Sequence, residues 1–347
     1  MAEDLKIGGR RVWMHKAIVA PDLKTEHVLS RDPWLYVELW LTREKLTKAA
    51  SYWSQAKRFA DASKNLSSES APLTLYYCYL NATKALLEAK GVSNGKHHGV
   101  GGKRPENARA TLTNEIINFQ SGGVLPDLCA YLGESTQKHS YTLSDILWNI
   151  PFIHRAFSLT FPSSTDLFIP LEGARYVKNA GTSEAFFIAQ VMPRFADGRM
   201  LTNIPNSFSS FKEADGKTFI RRKKRFCWWK GQTNALQKKG AEKRLIHYHG
   251  QTRRVVVNIS GNRDFWYLKR HQPKNNVGMR HTIVLMFAAM HRLSELARYD
   301  PAGLDRHLAG KANWLLSEFI HGSADQFVDQ IASEITGCQF WPPKVRQ

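Results

Sequence analysis

Apolar positions in the first part of the chain recur at helical spacing. They predict a helix over about residues 34–62, and its apolar positions are Leu35, Leu39, Leu46, Ala50, Trp53 and Phe59. The Ser residues and the Pro of "LSSESAP" can begin a second helix, "LTLYYCYLNATKALLEAK", which Gly91 ends. Because the connection is short, we expect these two helices to pack as an antiparallel hairpin.

Further along the chain the pattern changes twice. Shorter helices are predicted for "TLTNEIINFQ", "LPDLCAYLG" and "TLSDILWNIPFIHRAF". From about Leu159 the stretches "LFIPLEGARYV", "EAFFIAQVMPRF", "KTFIRRKKRFCWW" and "RRVVVNISG" are typical of strands. Helical spacing returns in "RHTIVLMFAAMHRLSELARYDP" and continues in "GKANWLLSEFIHGSADQFVDQIASEITG".

These patterns predict an α+β fold, mainly α with a β-rich insert, in which N- and C-terminal helices form one helical body. The expected organisation has five parts. They are an N-terminal arm at 1–32, a helical region at 33–158, a basic β-rich segment at 159–278, C-terminal helices at 279–337 that pack on the helical body, and a tail at 338–347.

Positive charge is concentrated in one segment. The chain has a net charge of +19, and residues 217–280 contain 18 Lys and Arg against two acidic residues, so this segment alone carries +16. Its centre is "RRKKRFCWWK", where five cations run into aromatic residues. Cations that neutralise phosphates, beside rings on which bases can stack, favour nucleic-acid binding. A solvated charged face without a partner is the alternative interpretation.

The predicted nucleic-acid interface comprises cations and tryptophans of this segment. They are Arg221, Arg222, Lys223, Lys224, Arg225, Trp228, Trp229, Lys230, Arg253, Arg254, Lys269 and Arg270. DNA and RNA both remain open as ligands. A protein partner with an acidic face, or a second copy of the chain, could use the same charges.

The composition predicts no metal, no cofactor and no membrane association. The four cysteines lie far apart and have no histidine at zinc-ligand spacing, so we expect reduced thiols. The N-terminal residues lack the apolar core of a signal peptide, and no apolar run is long enough for a membrane helix. A cytoplasmic protein is therefore expected.

Several stretches resemble the bacterial YaaC-like family. The resemblance covers about residues 30–335, and the β-rich middle matches least clearly. It is carried mainly by "ASKNLSSESAPLTLYYCYLNATKALL" and "HHGVGGKRPENARATLTNEIINFQSGGVLPDLCAYLGE", with "YTLSDILWNIPFIHRAF" and "ARYDP" in support. It implies a mostly helical bacterial cytosolic protein and no particular activity.

The helix "YYCYLNATKALL", with the His-Gly loop and "GGVLPDL" after it, is also similar to the helical hairpin of HEPN domains. Many such domains are RNases or toxins of defence systems, and others are inactive scaffolds. Active members carry Arg-x4–6-His, in which the Arg polarises a phosphate and the His transfers a proton. This motif is absent from residues 100–160, and Arg244 with His249 is the candidate catalytic pair in the basic segment. Since five residues separate the two, neither a strand nor a helix brings them together easily, and we expect no RNase activity from them.

A second candidate site is a pocket on the helical body. Its residues are Tyr77, Asn81, Lys84, His97, His98 and Arg104. Adjacent histidines flanked by glycines allow a phosphate or a base to approach the backbone closely. The alternative is that Asn81 hydrogen-bonds within the hairpin and Lys84 extends to solvent.

The sequence therefore predicts a nucleic-acid-binding protein with a HEPN-like helical body, a candidate component of a bacterial defence system. A HEPN-type RNase and a non-catalytic adaptor that docks an acidic partner are the alternatives.

Overall fold

The computed structural model describes residues 2–24, 28–30, 32–93, 95–229, 234–261, 265–272 and 276–341. The helices are α1 (Pro33–Arg43), α2 (Thr47–Ser63), α3 (Ala71–Ala89), α4 (Val124–Tyr131), α5 (Leu143–Trp148), α6 (His154–Thr160), α7 (Ala235–Thr252), α8 (Thr282–Tyr299), α9 (Pro301–Ala309) and α10 (Asn313–Thr336). The strands are β1 (Ala2–Asp4), β2 (Lys6–Ile7), β3 (Arg10–Arg11), β4 (Val28–Leu29), β5 (Val100–Lys103), β6 (Ile116–Phe119), β7 (His139–Thr142), β8 (Phe168–Asn179), β9 (Glu184–Val191), β10 (Phe208–Lys212), β11 (Thr218–Arg222), β12 (Phe226–Cys227), β13 (Val256–Ile259), β14 (Phe265–Lys269) and β15 (Phe340–Trp341).

The chain forms two compact units. The helical unit takes its described residues from Ser30–Asp166 and Arg280–Thr336. The sheet unit takes them from Met1–Leu29, Leu167–Met279 and Gly337–Gln347. Each unit is therefore assembled from segments that are distant in the sequence.

Helix α3 lies at the centre of the helical unit. Its side chains are buried along most of its length, and it packs against α2, α8 and α10. The Tyr79 ring stacks on Phe327 of α10 with 4.0 Å between centroids, and Tyr76 meets Phe287 of α8 edge to face at 5.7 Å. Because α8 and α10 come from the C-terminal part of the chain, the predicted α+β fold with one helical body is confirmed.

The helix predicted over residues 34–62 is broken into two. Asp32 caps α1 by accepting hydrogen bonds from the backbone N–H groups of Trp34 and Leu35. The break falls at Lys45, whose φ of 59° is in the left-handed region and ends α1. Apolar spacing continues on both sides, and neither Gly nor Pro marks the break, so the sequence pattern did not indicate it.

The stretch "TLTNEIINFQ" is likewise not a helix. It contains β6, which pairs with β5 and β7 in an antiparallel three-stranded sheet. The burial of β6 alternates from residue to residue, with Ile117 and Phe119 buried. Four residues are too few for such alternation to stand out from a helical pattern.

The sheet unit is built on antiparallel strands in the order β10-β11-β9-β8-β14-β13, with β1 added to β8 and β12 to β9. The predicted N-terminal arm at 1–32 contributes to this sheet. It includes β1, which pairs with β8, and the backbone N–H of Met14 donates to the carbonyl of Ala174 in β8. β15 pairs in parallel with β4. The first and last described segments of the chain thus belong to one unit.

Helix α7 covers one face of this sheet. It packs Leu245 and Tyr248 into a core with Tyr176 and Phe187. The sequence predicts a β-rich basic segment at 159–278, and α7 corrects this prediction because it places 18 residues of the segment in a helix. Helix α7 begins with a capping box between Asn234 and Gln237. Its buried positions include Ala, His and Thr, so the sequence shows no continuous apolar stripe that would predict a helix.

Candidate nucleic-acid interface

The five-cation run divides into one buried arginine and four exposed cations. Arg222 ends β11 with 8% of its surface exposed, whereas Arg221, Lys223, Lys224 and Arg225 are exposed. The alternation of a strand explains the difference between Arg221 and Arg222, because neighbouring side chains point to opposite faces. The charge run therefore has two functions in the fold, one structural and one at the surface.

Arg222 fastens α7 to the sheet. Its Nη1 donates to the carbonyl oxygen of Tyr248 and to Oγ1 of Thr252, each at 3.0 Å, and its Nη2 donates to Gln251. The guanidinium lies over the Tyr248 ring at 4.5 Å. Burial lowers the pKa of Arg222, which remains far above neutrality. Because the Arg222 guanidinium forms its hydrogen bonds inside the protein, it is unsuited to bind the phosphate of a ligand.

Two of these exposed cations, Lys224 and Arg225, line a cleft between the β11–β12 connection and α7. Lys243 and His247, one helical turn apart, face it together with Arg244. Lys224 and Arg225 form the opposite side, and the volume is about 410 Å³. Among the described residues that line this cleft none is acidic. The remaining lining residues are Phe226, Cys227, Tyr248 and Gln251.

Two carboxylates near the cleft are already engaged. Glu184 forms an ion pair with Arg225, and Glu242 pairs with Lys24 at 3.0 Å. Arg244 donates from Nε to the carbonyl oxygen of Cys227 at 2.8 Å, which holds its guanidinium at the edge of β12. The cleft therefore holds cations whose charge is not neutralised by a carboxylate among its described lining residues, and these can form charge-assisted hydrogen bonds to an anion.

The tryptophans of the run mainly support the fold. Trp228 is 3% exposed and belongs to the core with Phe226 and Tyr248. Trp229 is half-buried and stacks on Trp228 with 3.9 Å between ring centroids. Because Trp228 is buried and covers one face of Trp229, this pair leaves at most one ring face for a base.

The remaining residues of the predicted interface are mostly buried. Arg253 donates to the carbonyls of Val256 and Lys16, and Arg270 donates to the carbonyl of Met200. Lys269 is 2% exposed, and Arg254 is half-buried. Lys230 lies outside the described residues. The strongly basic composition of the segment thus includes several cations that serve the interior of the sheet unit.

The candidate catalytic pair does not converge. Arg244 is exposed, whereas His249 is fully buried on the side of α7 that faces the sheet. His249 accepts from the Tyr176 hydroxyl at Nδ1 and donates from Nε2 to the carbonyl of Ala17, both at 2.7 Å. Burial lowers the pKa of His249 to about 3. A neutral, enclosed imidazole of this kind cannot exchange protons with a substrate.

The residues of the predicted pocket are dispersed over several environments. Tyr77 stacks on Phe59, and Asn81 donates to the carbonyl of Tyr77 at 2.8 Å, one turn back in α3. Lys84 lies over the Tyr52 ring. The contacts of these three residues lie within the helix hairpin. They support the alternative to a ligand pocket, in which Asn81 hydrogen-bonds within the hairpin.

The two histidines of the loop differ in their contacts. The carbonyl of His97 accepts from the backbone N–H of Val124 at 2.9 Å. Nδ1 of His98 forms a hydrogen bond with the Tyr76 hydroxyl at 2.5 Å. Partial burial, with Arg298 and Lys84 nearby, lowers the pKa of His98. The sequence places Tyr76 beside Tyr77 in the predicted pocket, and Tyr76 is the tyrosine that contacts His98.

His98 belongs to a cluster that also includes His291 of α8. The His291 ring lies 4.8 Å from that of Tyr76 and 5.8 Å from that of His98. Burial lowers the pKa of His291 to about 3, and its Nδ1 lies 3.8 Å from the Glu295 carboxylate. His291 and Glu295 are four residues apart on one helix, a spacing visible in the sequence that the analysis did not use.

Arg104 forms part of a buried ionic network. It contacts Glu115 at 2.9 Å and also pairs with Asp300. Glu115 has no exposed surface and accepts hydrogen bonds from Arg292 at 2.7 Å and His307 at 3.0 Å. These bonds hold the pKa of Glu115 below its usual value although burial opposes them. The network is paired internally, which identifies Arg104 as a structural cation.

Two searches of the described part of the chain gave no site of another kind. None of its helices is long and apolar enough to cross a membrane. In the same residues, no group of three or more His, Cys, Asp and Glu is arranged to hold a metal ion.

A family model described as YaaC-like protein matches residues 19–335. The chain belongs to the YaaC-like family. The resemblance found in the sequence is therefore confirmed for this family, while the similarity to HEPN domains stays a prediction. No curated protein matches the chain, and no solved structure matches it.

Proposed function

We propose that this YaaC-like protein binds nucleic acid through a cationic surface on its sheet unit. The cationic surface is defined by the exposed residues Lys223, Lys224, Arg225, Lys243, Arg244 and His247. The observation that carries the proposal is the cleft between the β11–β12 connection and α7, which all of these residues except Lys223 line without an acidic neighbour among the described lining residues.

The physical basis is phosphate neutralisation. Lys224, Arg225, Lys243 and Arg244 line one cleft and repel each other in the free protein, and a polyanion relieves this repulsion while its condensed counterions are released. Arg244 is held by the Cys227 carbonyl and Lys223 extends from a loop, so rigid and adaptable contacts are combined. Contacts of this type recognise the sugar–phosphate backbone of DNA or RNA without reading the bases.

The HEPN-like helical body and a place in a bacterial defence system are further parts of this proposal, and both rest on sequence resemblance alone. The alternative partner is a protein with an acidic face. Salt dependence separates the two, because counterion release from phosphates gives a linear decrease of log affinity with log salt, whereas an apolar protein interface does not.

The test is equilibrium binding of labelled RNA and DNA oligonucleotides over a range of salt concentrations. In the variant Lys223→Ala/Lys224→Ala/Lys243→Ala, we expect weaker binding and a salt slope that is lower by up to about 0.9 for each lost duplex contact. The control, Lys64→Ala/Lys138→Ala/Lys311→Ala, removes the same charge at exposed positions of the helical unit. Equal affinity and slope in both folded variants would contradict the proposal.

A further inference from the structure

A second cleft opens on the face of the sheet that points away from α7. Along β9, Phe187 and Ala189 join the core beneath α7, so Phe186 and Ile188 point to the other face. Phe186 and Ile188 line a cleft of about 340 Å³ together with Phe211 of β10. The other lining residues are Ala2, Asn179, Ala180, Glu213 and Arg221.

Aromatic rings and arginine planes alternate on this face. Phe211 and Phe219 are cross-strand neighbours, and their rings stack with 5.8 Å between centroids and 23° between planes. The Arg221 guanidinium lies 5.1 Å from the centre of the Phe211 ring. Phe211 is half-buried and Arg221 is exposed, so both remain accessible at the cleft.

Such pairs have the chemistry of a base-stacking platform. Unpaired bases stack on phenylalanine rings and on arginine planes, and a guanidinium over a ring adds a cation–π contribution. The cleft is flanked by both kinds of surface on adjacent strands. A planar, neutral ring system fits it better than a phosphate, because Glu213 would repel an anion.

The polar lining residues complement the edge of a base. The carboxylate of Glu213 can accept hydrogen bonds from an exocyclic amino group, and the side-chain amide of Asn179, which donates from Nδ2 to Glu184 at 3.1 Å, can accept at Oδ1. Both residues line the cleft beside Phe211. An apolar floor with one acceptor and one amide at its rim is the pattern of a small, oriented ligand site.

Arg225 connects this cleft to the cationic surface. It lines the cleft beside α7, and its guanidinium lies 5.4 Å from the centre of the Phe186 ring, which lines the second cleft. A nucleic-acid strand whose phosphates contact the cationic surface can therefore place a base in the second cleft by passing around the edge of β12. The bases of a duplex are stacked and paired, so only an unpaired base can enter.

We infer that the second cleft is a nucleobase site and that the ligand of the cationic surface is single-stranded. This inference rests on the proposed function, since the cationic surface supplies the phosphate contacts. It adds a stacking contribution at Phe211 and Arg221 that the charge-based proposal does not require.

The test compares a single strand, the same strand with abasic positions, and the corresponding duplex. Wild-type protein should bind the single strand more tightly than the duplex at equal salt. Phe211→Leu keeps an apolar side chain but removes the ring, and we expect about a tenfold loss of single-strand affinity with duplex affinity and salt slope unchanged. On the abasic strand, Phe211→Leu should have no further effect.

The matched control is Phe195→Leu. Phe195 is also half-buried in the sheet unit and also lies under an arginine, with the Arg194 guanidinium 4.7 Å from its ring centre, but it does not line the cleft. Phe195→Leu should leave the affinities for the single strand and for the duplex unchanged.

The outcomes separate the two proposals. Equal affinity of wild type for single strand and duplex, or a Phe211→Leu variant that binds like Phe195→Leu, overturns the nucleobase site while charge-dependent binding stands. Absence of binding to every oligonucleotide overturns the proposed function, and the nucleobase site with it.

Discussion

The Tyr176 hydroxyl donates a hydrogen bond to Nδ1 of His249 over 2.7 Å, inside the core of the sheet unit. Nε2 of His249 donates to the carbonyl of Ala17 at the same distance, so both ring nitrogens are used and the imidazole is neutral. Tyr176 is on β8 and His249 on α7, and the bond joins the helix to the sheet. The histidine proposed from sequence as catalytic is thus a structural element.

Burial of His249 makes stability dependent on pH. The pKa of His249 is about 3 in the folded protein and about 6.5 in an unfolded chain, so the unfolded state binds the proton first as pH falls. Its contribution to stability is complete above pH 6.5 and decreases as pH falls towards 3. At pH 5 we expect a loss of about 2 kcal/mol in the free energy of unfolding.

Urea denaturation between pH 7 and pH 5 measures this loss. His249→Gln should be less stable at pH 7 but lose less stability on acidification, because Gln does not titrate. His291, buried in the helical unit with its pKa lowered to about 3, is unchanged in this variant and gives the remaining dependence. An identical pH dependence in wild type and His249→Gln would contradict the assignment.

Two neighbouring residues of the cation run should behave in opposite ways. Arg222→Ala removes several buried hydrogen bonds, and we expect a loss of roughly 2–4 kcal/mol in stability. Lys223→Ala should change stability by less than about 0.5 kcal/mol but lower nucleic-acid affinity. Thermal denaturation and oligonucleotide binding on both variants test this, and a stable Arg222→Ala protein with lost binding would place Arg222 in the interface instead.

Glu115 should be essential to the helical unit. Glu115→Gln removes the buried carboxylate that pairs with both Arg104 and Arg292 and leaves Arg292 with Glu295 alone, and we expect a loss of about 3–5 kcal/mol in the free energy of unfolding. Glu106→Gln, at an exposed position nearby in sequence, is the control and should be close to neutral. Denaturant titration of both variants provides the comparison. A small effect of Glu115→Gln would mean that water or rearranged side chains replace the network.

Substitution of the two glycines of "SGGV", Gly122 and Gly123, should change the stability of the protein by different amounts. Gly123 has a φ of 115°, and a Cβ there would lie 2.7 Å from the backbone nitrogen of Gly99 and from the carbonyl oxygen of His97. Gly123→Ala should therefore destabilise the protein by roughly 1–3 kcal/mol. A Cβ at the adjacent Gly122 meets nothing within 4 Å, so Gly122→Ala is the matched control. Equal melting temperatures of the two variants would show that Gly123 and the His97–Gly99 segment can move apart without loss of stability.

Ribonuclease activity from Arg244 and His249 is not expected. Incubation of the protein with a mixed tRNA pool should give no cleavage that Arg244→Ala removes, since His249 is enclosed. Arg244→Ala is preferable to a His249 variant because Arg244 is exposed and its loss leaves the core intact. Cleavage by wild type that disappears in Arg244→Ala would restore the enzyme hypothesis.

The sequence by itself determined the fold class and the long core helices. In α3 and α8 apolar residues recur over 18 or 19 positions, which is long enough for the helical period to be unambiguous. Family membership and the location of the positive charge also followed from sequence alone. The fold class, the helices and the charge depend on composition and on periodicity over many residues, whereas family membership depends on stretches that resemble the family.

Only the tertiary structure decided which charges and rings are available to a ligand. Arg222 and Lys223 are equivalent in composition, yet one anchors α7 and the other is exposed. The conspicuous Trp228 is in the core, whereas Phe211, which the sequence analysis did not select, lies at a cleft. Exposure depends on what packs against each face of a strand or helix, and those partners are distant in sequence. Local periodicity cannot specify them.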